Sequence, residues 1–325
     1  MYVKKSGLLV IAALLLAGIN MRGQKSVTEF LEMGVDDAKI MSEAYLRPYG
    51  EMLGKSLNGG WYNSAGVHKI GGFDVTFGIN MAMVPAAGKN FDVSALNFNT
   101  NLQAEDPNLT IAPTIAGEMP MSLRPRMELE GEYLLTMPNG TGFDKLPAPM
   151  AQVAVGLPFH SEVSVRFMPS TSLGDAGKVN LYGFGIKHSI KEYIPFLKRM
   201  PFIRTSVMLG YTNMGSEIGV DYGDGANQSL DISSSAFTSR LLVGVNIPFL
   251  AVYTGMGYGS TNSDFALKGD YGPEVGTDPF TLGYATNGFD FNAGLRLRFG
   301  FIALHGDYTF GDYSMVSAGI GINFR

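Results

Sequence analysis

The chain contains no cysteine, which excludes a disulfide framework, a thiolate metal site and a cysteine nucleophile. It has one tryptophan and four histidines, His68, His160, His188 and His305, and no two of these share the i, i+2 or i, i+4 spacing of a metal-binding pair. Beyond the N-terminus no segment holds 18 uninterrupted apolar residues, which argues against a helical membrane protein. Positive charge is not in excess either: the net charge is −5, whereas nucleic-acid binding proteins usually carry a basic patch. No linker-like break follows residue 70. What the chain does have is glycine, 42 residues of it, and aromatics at 11%, spread over short alternating segments. That pattern favours one β-barrel.

The N-terminus reads as an export signal. Lys4 and Lys5 form a positive start, and residues 7–18 are an apolar stretch of secretory length, short of the roughly 20 residues a membrane span needs. Cleavage is placed near Gly23, giving a signal peptide over 1–23. Its removal takes away Lys4, Lys5 and Arg22 and no acid, so the net charge falls to −8.

Residues 24–70 follow a helical rather than a strand pattern. Ser26 with Glu29 matches a capping box; Asp36 and Asp37 open a second segment carrying Ile40, Met41, Ala44 and Tyr45, which Pro48 should stop. A third segment, 49–57, runs into the breaker Asn58-Gly59-Gly60. Three short helices are expected, as a plug in a lumen or a cap beneath it.

From residue 71 onward the period becomes two. Phe73, Val75, Phe77, Ile79, Met81 and Met83 alternate with Asp74, Thr76, Gly78, Asn80 and Ala82, and the chain ends with Val316, Ala318, Ile320, Ile322 and Phe324 alternating with Ser317, Gly319, Gly321 and Asn323. One apolar face and one small or polar face suit a wall strand of a transmembrane barrel. Between these ends, candidate strands lie near 109–118, 121–136, 148–157, 160–169, 178–190, 202–213, 231–246, 250–262, 284–299 and 300–310. The expected fold is therefore an all-β transmembrane, antiparallel up-and-down barrel of twelve strands over 71–325, or fourteen if 92–101 hides another. Turns near 118–120, 158, 191–201, 248 and 300 are assigned to the inner side. Several carry an apolar-Pro-Phe signature: Leu157-Pro158-Phe159, Met200-Pro201-Phe202 and Ile247-Pro248-Phe249. Segment 189–200 should be a small amphipathic element at that interface.

Candidate chemistry is sparse. His160-Ser161 and His188-Ser189 are sequence neighbours, whose side chains point oppositely on a strand, so no catalytic triad is expected. Gly183-Phe184-Gly185 and Gly255-Met256-Gly257 lack the following helix that a nucleotide loop requires. They read as places where the plug packs closely on the wall. Arg296 and Arg298 should face the lumen beside His305 and Asp307, either as a charge network that docks the plug or as a carboxylate contact. Arg124, Arg126, Glu128, Glu130 and Glu132 should give strand 121–136 the same inward stripe. Trp61 is an interfacial anchor or the contact that seats the plug. No cofactor or metal site emerges.

The segments Gly60-Trp61-Tyr62-Asn63-Ser64-Ala65, Gly72-Phe73-Asp74, Val84-Pro85 and Ile186-Lys187-His188-Ser189-Ile190 resemble an uncharacterised family of outer-membrane barrels from Bacteroidota. The resemblance covers nearly the whole mature chain. More distantly the chain is similar to the FadL-type transporters of hydrophobic compounds, although those have fourteen strands and a hatch motif with Asn-Pro-Ala that is missing here. The resemblance implies residence in the outer membrane of a Gram-negative bacterium and passive, non-enzymatic uptake of a fatty-acid-like or other apolar compound. Residues 27–57 would move to open the path. Implied partners are outer-membrane lipid and the barrel assembly machinery, through 312–325. The alternative is a structural barrel with a sealed lumen.

Overall fold

The structure, a computed structural model, describes residues 28–172, 177–220, 222 and 227–324. The signal peptide over 1–23 and the Ser26 cap lie outside the described residues. Strands form in chain order at β1 (Phe73–Met83), β2 (Asn90–Asp92), β3 (Leu102–Ala104), β4 (Ile111–Pro113), β5 (Arg126–Leu129), β6 (Glu132–Thr136), β7 (Lys145–Leu157), β8 (Ser161–Ser172) and β9 (Lys178–Ser189). They continue with β10 (Ile203–Gly219), β11 (Ser229–Asn246), β12 (Leu250–Lys268), β13 (Thr281–Phe299), β14 (Ile302–Phe310) and β15 (Met315–Phe324). Ten of them, β1 and β7 to β15, close into an antiparallel barrel in which β1 lies between β7 and β15.

The wall therefore has ten strands, not twelve or fourteen. The two lost candidates, 109–118 and 121–136, belong to an excursion over 84–144 that leaves the wall between β1 and β7. Within it β2 pairs with β4, while β3, β5 and β6 form a separate small sheet. Local geometry explains the error. Met121–Leu123 is a 3-10 turn, and Glu130 and Gly131 have φ of 53° and 85°, a left-handed pair that folds the segment into the β5–β6 hairpin. The resulting strands of four and five residues fall short of the roughly 9–11 a spanning strand needs. The turn expected at 118–120 is part of this excursion, at the end of the barrel opposite the other short turns.

The wall strands obey their alternation. On β15, Ile320, Ile322 and Phe324 are exposed while Ser317 and Asn323 are buried; on β1, Phe73 and Phe77 are exposed while Asp74, Thr76 and Asn80 are buried. The exterior is an apolar band; the interior is polar toward the short-turn end, whereas at the excursion end inward residues such as Leu181, Met214 and Phe265 pack on the helix that fills the lumen. At one end, where Phe73 pairs with Phe324, the connections are short. Phe159, Phe202, Phe249 and Phe301 stand exposed there, Phe159 at 85%. This end also carries the expected small element, a 3-10 turn Lys191–Tyr193 followed by the helical turn Pro195–Lys198.

The lumen is filled by one helix in which the expected second and third segments have merged; the first remains separate, as helical residues 28–30 followed by the 3-10 turn Leu31–Met33. Val35–Asn58 runs unbroken for 24 residues, about 36 Å at 1.5 Å per residue, with Pro48 inside it. Proline in a helix interior costs about 3 kcal/mol; here burial on nearly all sides, from Met41 and Tyr45 to Leu53 and Leu57, outweighs it. Near its start the helix is tied to the excursion: Tyr45 donates to the Asn139 carbonyl at 3.0 Å, its own carbonyl accepts from Ile115 N–H at 3.0 Å, and Asp37 accepts from Asn99 N–H at 2.6 Å. The chain then descends through the lumen and leaves at the short-turn end, where Gly71 N–H meets the Gly156 carbonyl. Only then does β1 begin.

Candidate functional site

Trp61 lies packed between the wall and Arg166. Its indole lies on a floor made by Gly183 and Gly185 of β9 and Gly210 of β10; a Cβ added at Gly185 or Gly210 would come within 2.8 or 2.6 Å of the ring. The alternating glycines thus serve close packing, as the sequence implies. The Arg166 guanidinium covers the ring at 3.7 Å from its centroid.

Arg166 is the functional residue that the sequence did not disclose. It is 1% exposed. Its Nη1 donates to the Leu57 carbonyl at 3.0 Å, its Nη2 to the Gly59 carbonyl at 2.6 Å and its Nε to Gln152 Oε1 at 2.9 Å. A cation at the C-terminal end of the plug helix meets the negative end of the dipole and the orphan carbonyls at once. The available signal was a single arginine at an inward position of β8, among Val163, Val165 and Phe167.

Below the indole, the segment 62–69 is pinned by polar contacts. Tyr62 donates to Asn292 Oδ1 at 2.8 Å. Glu162 accepts from His68 Nδ1 at 2.7 Å and from Lys187 Nζ at 2.8 Å, all three side chains being under a tenth exposed, while Asn323 lies 2.8 Å from His68 Nε2. Arg296 donates to Asn63 Oδ1 at 2.9 Å. The expected pairing of Arg296 and Arg298 with Asp307 is not formed. Arg298 reaches Asn323 at 3.5 Å, and Asp307 is held by Tyr253 at 3.3 Å and Asn292 at 3.4 Å. The buried arginine–carboxylate pair is instead Arg240 with Asp290, bidentate at 2.5 and 2.9 Å. His305 is buried against Gly319.

Arg124, Arg126, Glu128, Glu130 and Glu132 are outside the lumen, because their strand left the wall. Arg126 pairs with Glu105 at 2.7 Å in solvent, Glu128 accepts from Gln103 at 2.9 Å, Arg124 donates to the Met137 carbonyl, and Glu130 and Glu132 are exposed. Strand pairing brings together Ser161 and His188, which sequence adjacency did not. Ser161 Oγ is 2.9 Å from Nδ1, and Nε2 is 3.1 Å from the Tyr193 hydroxyl. Among the described residues no carboxylate completes that pair, and Tyr193 stacks on the imidazole, so it pins the turn to the wall. Among the described residues no group of three potential metal ligands occurs.

The wall has one seam. β7 and β8 pair from Leu157–Ser161 to Gln152–Arg166 and then part, although β7 continues to Lys145 and β8 to Ser172. The β7–β1 ladder uses even-numbered residues of β7, as with Gly156 N–H to the Gly72 carbonyl. Odd residues, including Pro147 and Pro149, therefore aim their backbone at β8. Continuing the β7–β8 register would set Pro149 opposite Pro169, two residues with no N–H to give. The β8–β9 register also shifts between Met168 and Thr171. Behind the seam, between wall and plug helix, lies a cavity of about 100 Å³ lined by Tyr49, Leu53, Pro147, Pro149, Met168 and Leu181 among others.

No curated protein matches the sequence. Among solved structures, the translocator domain of the autotransporter NalP from Neisseria meningitidis aligns at 12% identity and TM-score 0.35, covering 79% of this chain and 89% of that one. The attachment invasion locus protein Ail of Yersinia pestis aligns at 7% identity and TM-score 0.28, over 78% and 98%. The toluene transporter TodX of Pseudomonas putida aligns at 9% and 0.25, over 78% and 67%. The chain belongs to DUF6588, a family of unknown function whose model matches residues 3–324.

Proposed function

We propose that the protein is a bacterial outer-membrane barrel that takes up small hydrophobic or amphiphilic compounds passively, and that this is its closed state. The apolar exterior and closed ten-strand wall support the membrane setting. The short-turn end is assigned to the periplasm and the excursion to the outside. The last strand, within 312–325 and carrying Phe324, is the segment offered to the barrel assembly machinery.

The observation that carries transport is the coincidence of an apolar cavity with the proline-lined seam. A compound held between the plug helix and β7 would have a lateral way into lipid without crossing the polar lower lumen. This also accommodates an apolar cargo in a barrel whose interior is polar toward the short-turn end. The cavity is below the roughly 300–1,000 Å³ of ordinary ligand sites, so the plug helix, within 27–57, must shift to admit cargo. The test uses the absence of native cysteine: Ala148→Cys with Ser170→Cys across the seam, assayed for uptake of a radiolabelled medium-chain fatty acid. Oxidation should abolish uptake and reductant restore it. Equal uptake in both states, with the disulfide verified, would overturn the seam route.

The filled lumen favours a second reading, a sealed structural barrel. The two separate on deleting 27–57. A gated transporter gains conductance or uptake, whereas unchanged conductance and uptake would sink the gating idea.

A further inference from the structure

We propose that the mouth of the barrel at the short-turn end is a binding site for an oxyanion, carboxylate or phosphate. This goes beyond the transport reading and does not depend on it. A second cavity, about 520 Å³, opens there and is lined by Lys69, Arg204, Arg296 and Arg298 with no acidic residue on its surface. In a chain whose net charge is −5, four cations in one mouth are a local reversal.

The neighbouring acids are already engaged. Glu162 is shared between Lys187 and His68, and Asp74 accepts from Thr76, Asn63 and Asn323. Among the described residues, no carboxylate lies within ion-pair distance of the four lining cations. The arginines touch only neutral oxygens: Arg296 the Asn63 amide, Arg298 the Asn323 amide, Arg204 the Pro201 and Ile203 carbonyls. A guanidinium has five N–H donors, so each of these cavity-lining arginines retains donors beyond those contacts. Planar forks on β10 and β13 suit bidentate contact with a carboxylate or phosphate, which would also relieve the mutual repulsion of the cations.

The experiment is a titration of the full-length protein in nonionic detergent with inorganic phosphate, followed by ³¹P line broadening. Wild type and the double variant Arg204→Gln/Arg298→Gln are compared, with heat-modifiable electrophoretic mobility as the folding control. Wild type should bind saturably and weaken as NaCl is raised; the double variant should bind at least about tenfold more weakly, since each arginine contact is a charge-assisted hydrogen bond. If the double variant fails to fold, Arg298→Lys serves instead, keeping charge but losing the fork, and should bind measurably more weakly. No saturable binding to wild type, or equal binding by the folded variant, overturns the proposal. Native mass spectrometry tells the source of the oxyanion. An anionic phospholipid that co-purifies with wild type and is lost in the variant assigns a lipid headgroup; lipid-free protein that binds phosphate assigns a soluble solute.

Discussion

At the residue scale the plug is held by two side chains that act on each other. Trp61 brings contact area: it is 2% exposed and, among the described residues, its Nε1–H has no partner. Glycines and the Arg166 face, rather than a hydrogen bond, define its seat. Arg166 brings directionality through two carbonyls at the end of the helix, Leu57, which Thr212 also reaches, and Gly59. Arg166→Ala should therefore free the Gly59 carbonyl, leave the Leu57 carbonyl with only the Thr212 hydroxyl at 3.3 Å, and uncover one face of the indole. At about 1–3 kcal/mol per buried group left unpaired, the lower plug should loosen while the barrel survives. Because Trp61 is the only tryptophan, its emission reports this directly: a red shift is expected in Arg166→Ala with β-sheet circular dichroism unchanged. Gly210→Leu should give the same shift by a different route, since any side chain there enters the indole's volume. An unshifted spectrum in both variants would mean that Trp61 is seated by something else.

At the element scale the wall strands were legible and the insertions were not, for a physical reason. A strand that separates lipid from a polar lumen must alternate over its whole length, as Phe73–Met83 and Met315–Phe324 do. Strand 121–136 alternates too, yet Glu130-Gly131 turns it on itself, and nothing in a period of two records whether the next strand is barrel or hairpin. The plug helix differs for the opposite reason: Pro48 is a valid local stop signal overruled by burial of most of the helix surface. Of the candidate site, Trp61 and the glycine floor could be read in advance, whereas Arg166 and the Ser161–His188 contact depend on cross-strand register. The seam yields a prediction at this scale. Pro149→Val with Pro169→Val returns two donors to facing positions, so the β7–β8 ladder should extend toward Lys145. Protected amides at the two new valines, slower exchange than wild type at the neighbouring facing amides of Ala151 and Phe167, and reduced uptake are expected; unprotected valines with unchanged exchange at Ala151 and Phe167 would show that the gap has another cause.

The excursion yields a pH prediction at the same scale. The Lys89–Asp144 bond of 2.7 Å fastens it to the start of β7 and holds the Asp144 carboxyl below its ordinary value. A depressed carboxyl contributes stability above the unfolded pKa of about 4, and loses it as pH falls through the lower folded value. Both side chains are more than a third exposed, so solvent screening keeps the contribution at about 0–1 kcal/mol. A small difference in melting temperature between wild type and Lys89→Met at pH 7 should close on acidification toward pH 3. A difference that persists there would assign it to packing of the lysine stem instead.

At the scale of the whole molecule, the path of the chain decides what each side of the membrane sees. Residues Leu31–Met33 pack with the excursion, the helix descends the lumen, and the chain crosses the full height of the barrel before its first wall strand begins. In the proposed orientation, with the short, phenylalanine-rich turns inside, the segment around Glu32 would lie on the cell surface and the turn carrying Lys198 in the periplasm. Both residues are exposed, and the chain has no cysteine to interfere. Glu32→Cys should react with a 5 kDa polyethylene-glycol maleimide on intact cells, whereas Lys198→Cys should react only after the outer membrane is permeabilised. The reverse pattern would invert the barrel and move the basic mouth to the cell surface. If neither residue reacts on intact cells while both react after permeabilisation, the plug does not thread the lumen outward, and the lateral route would have to be fed from the periplasmic side.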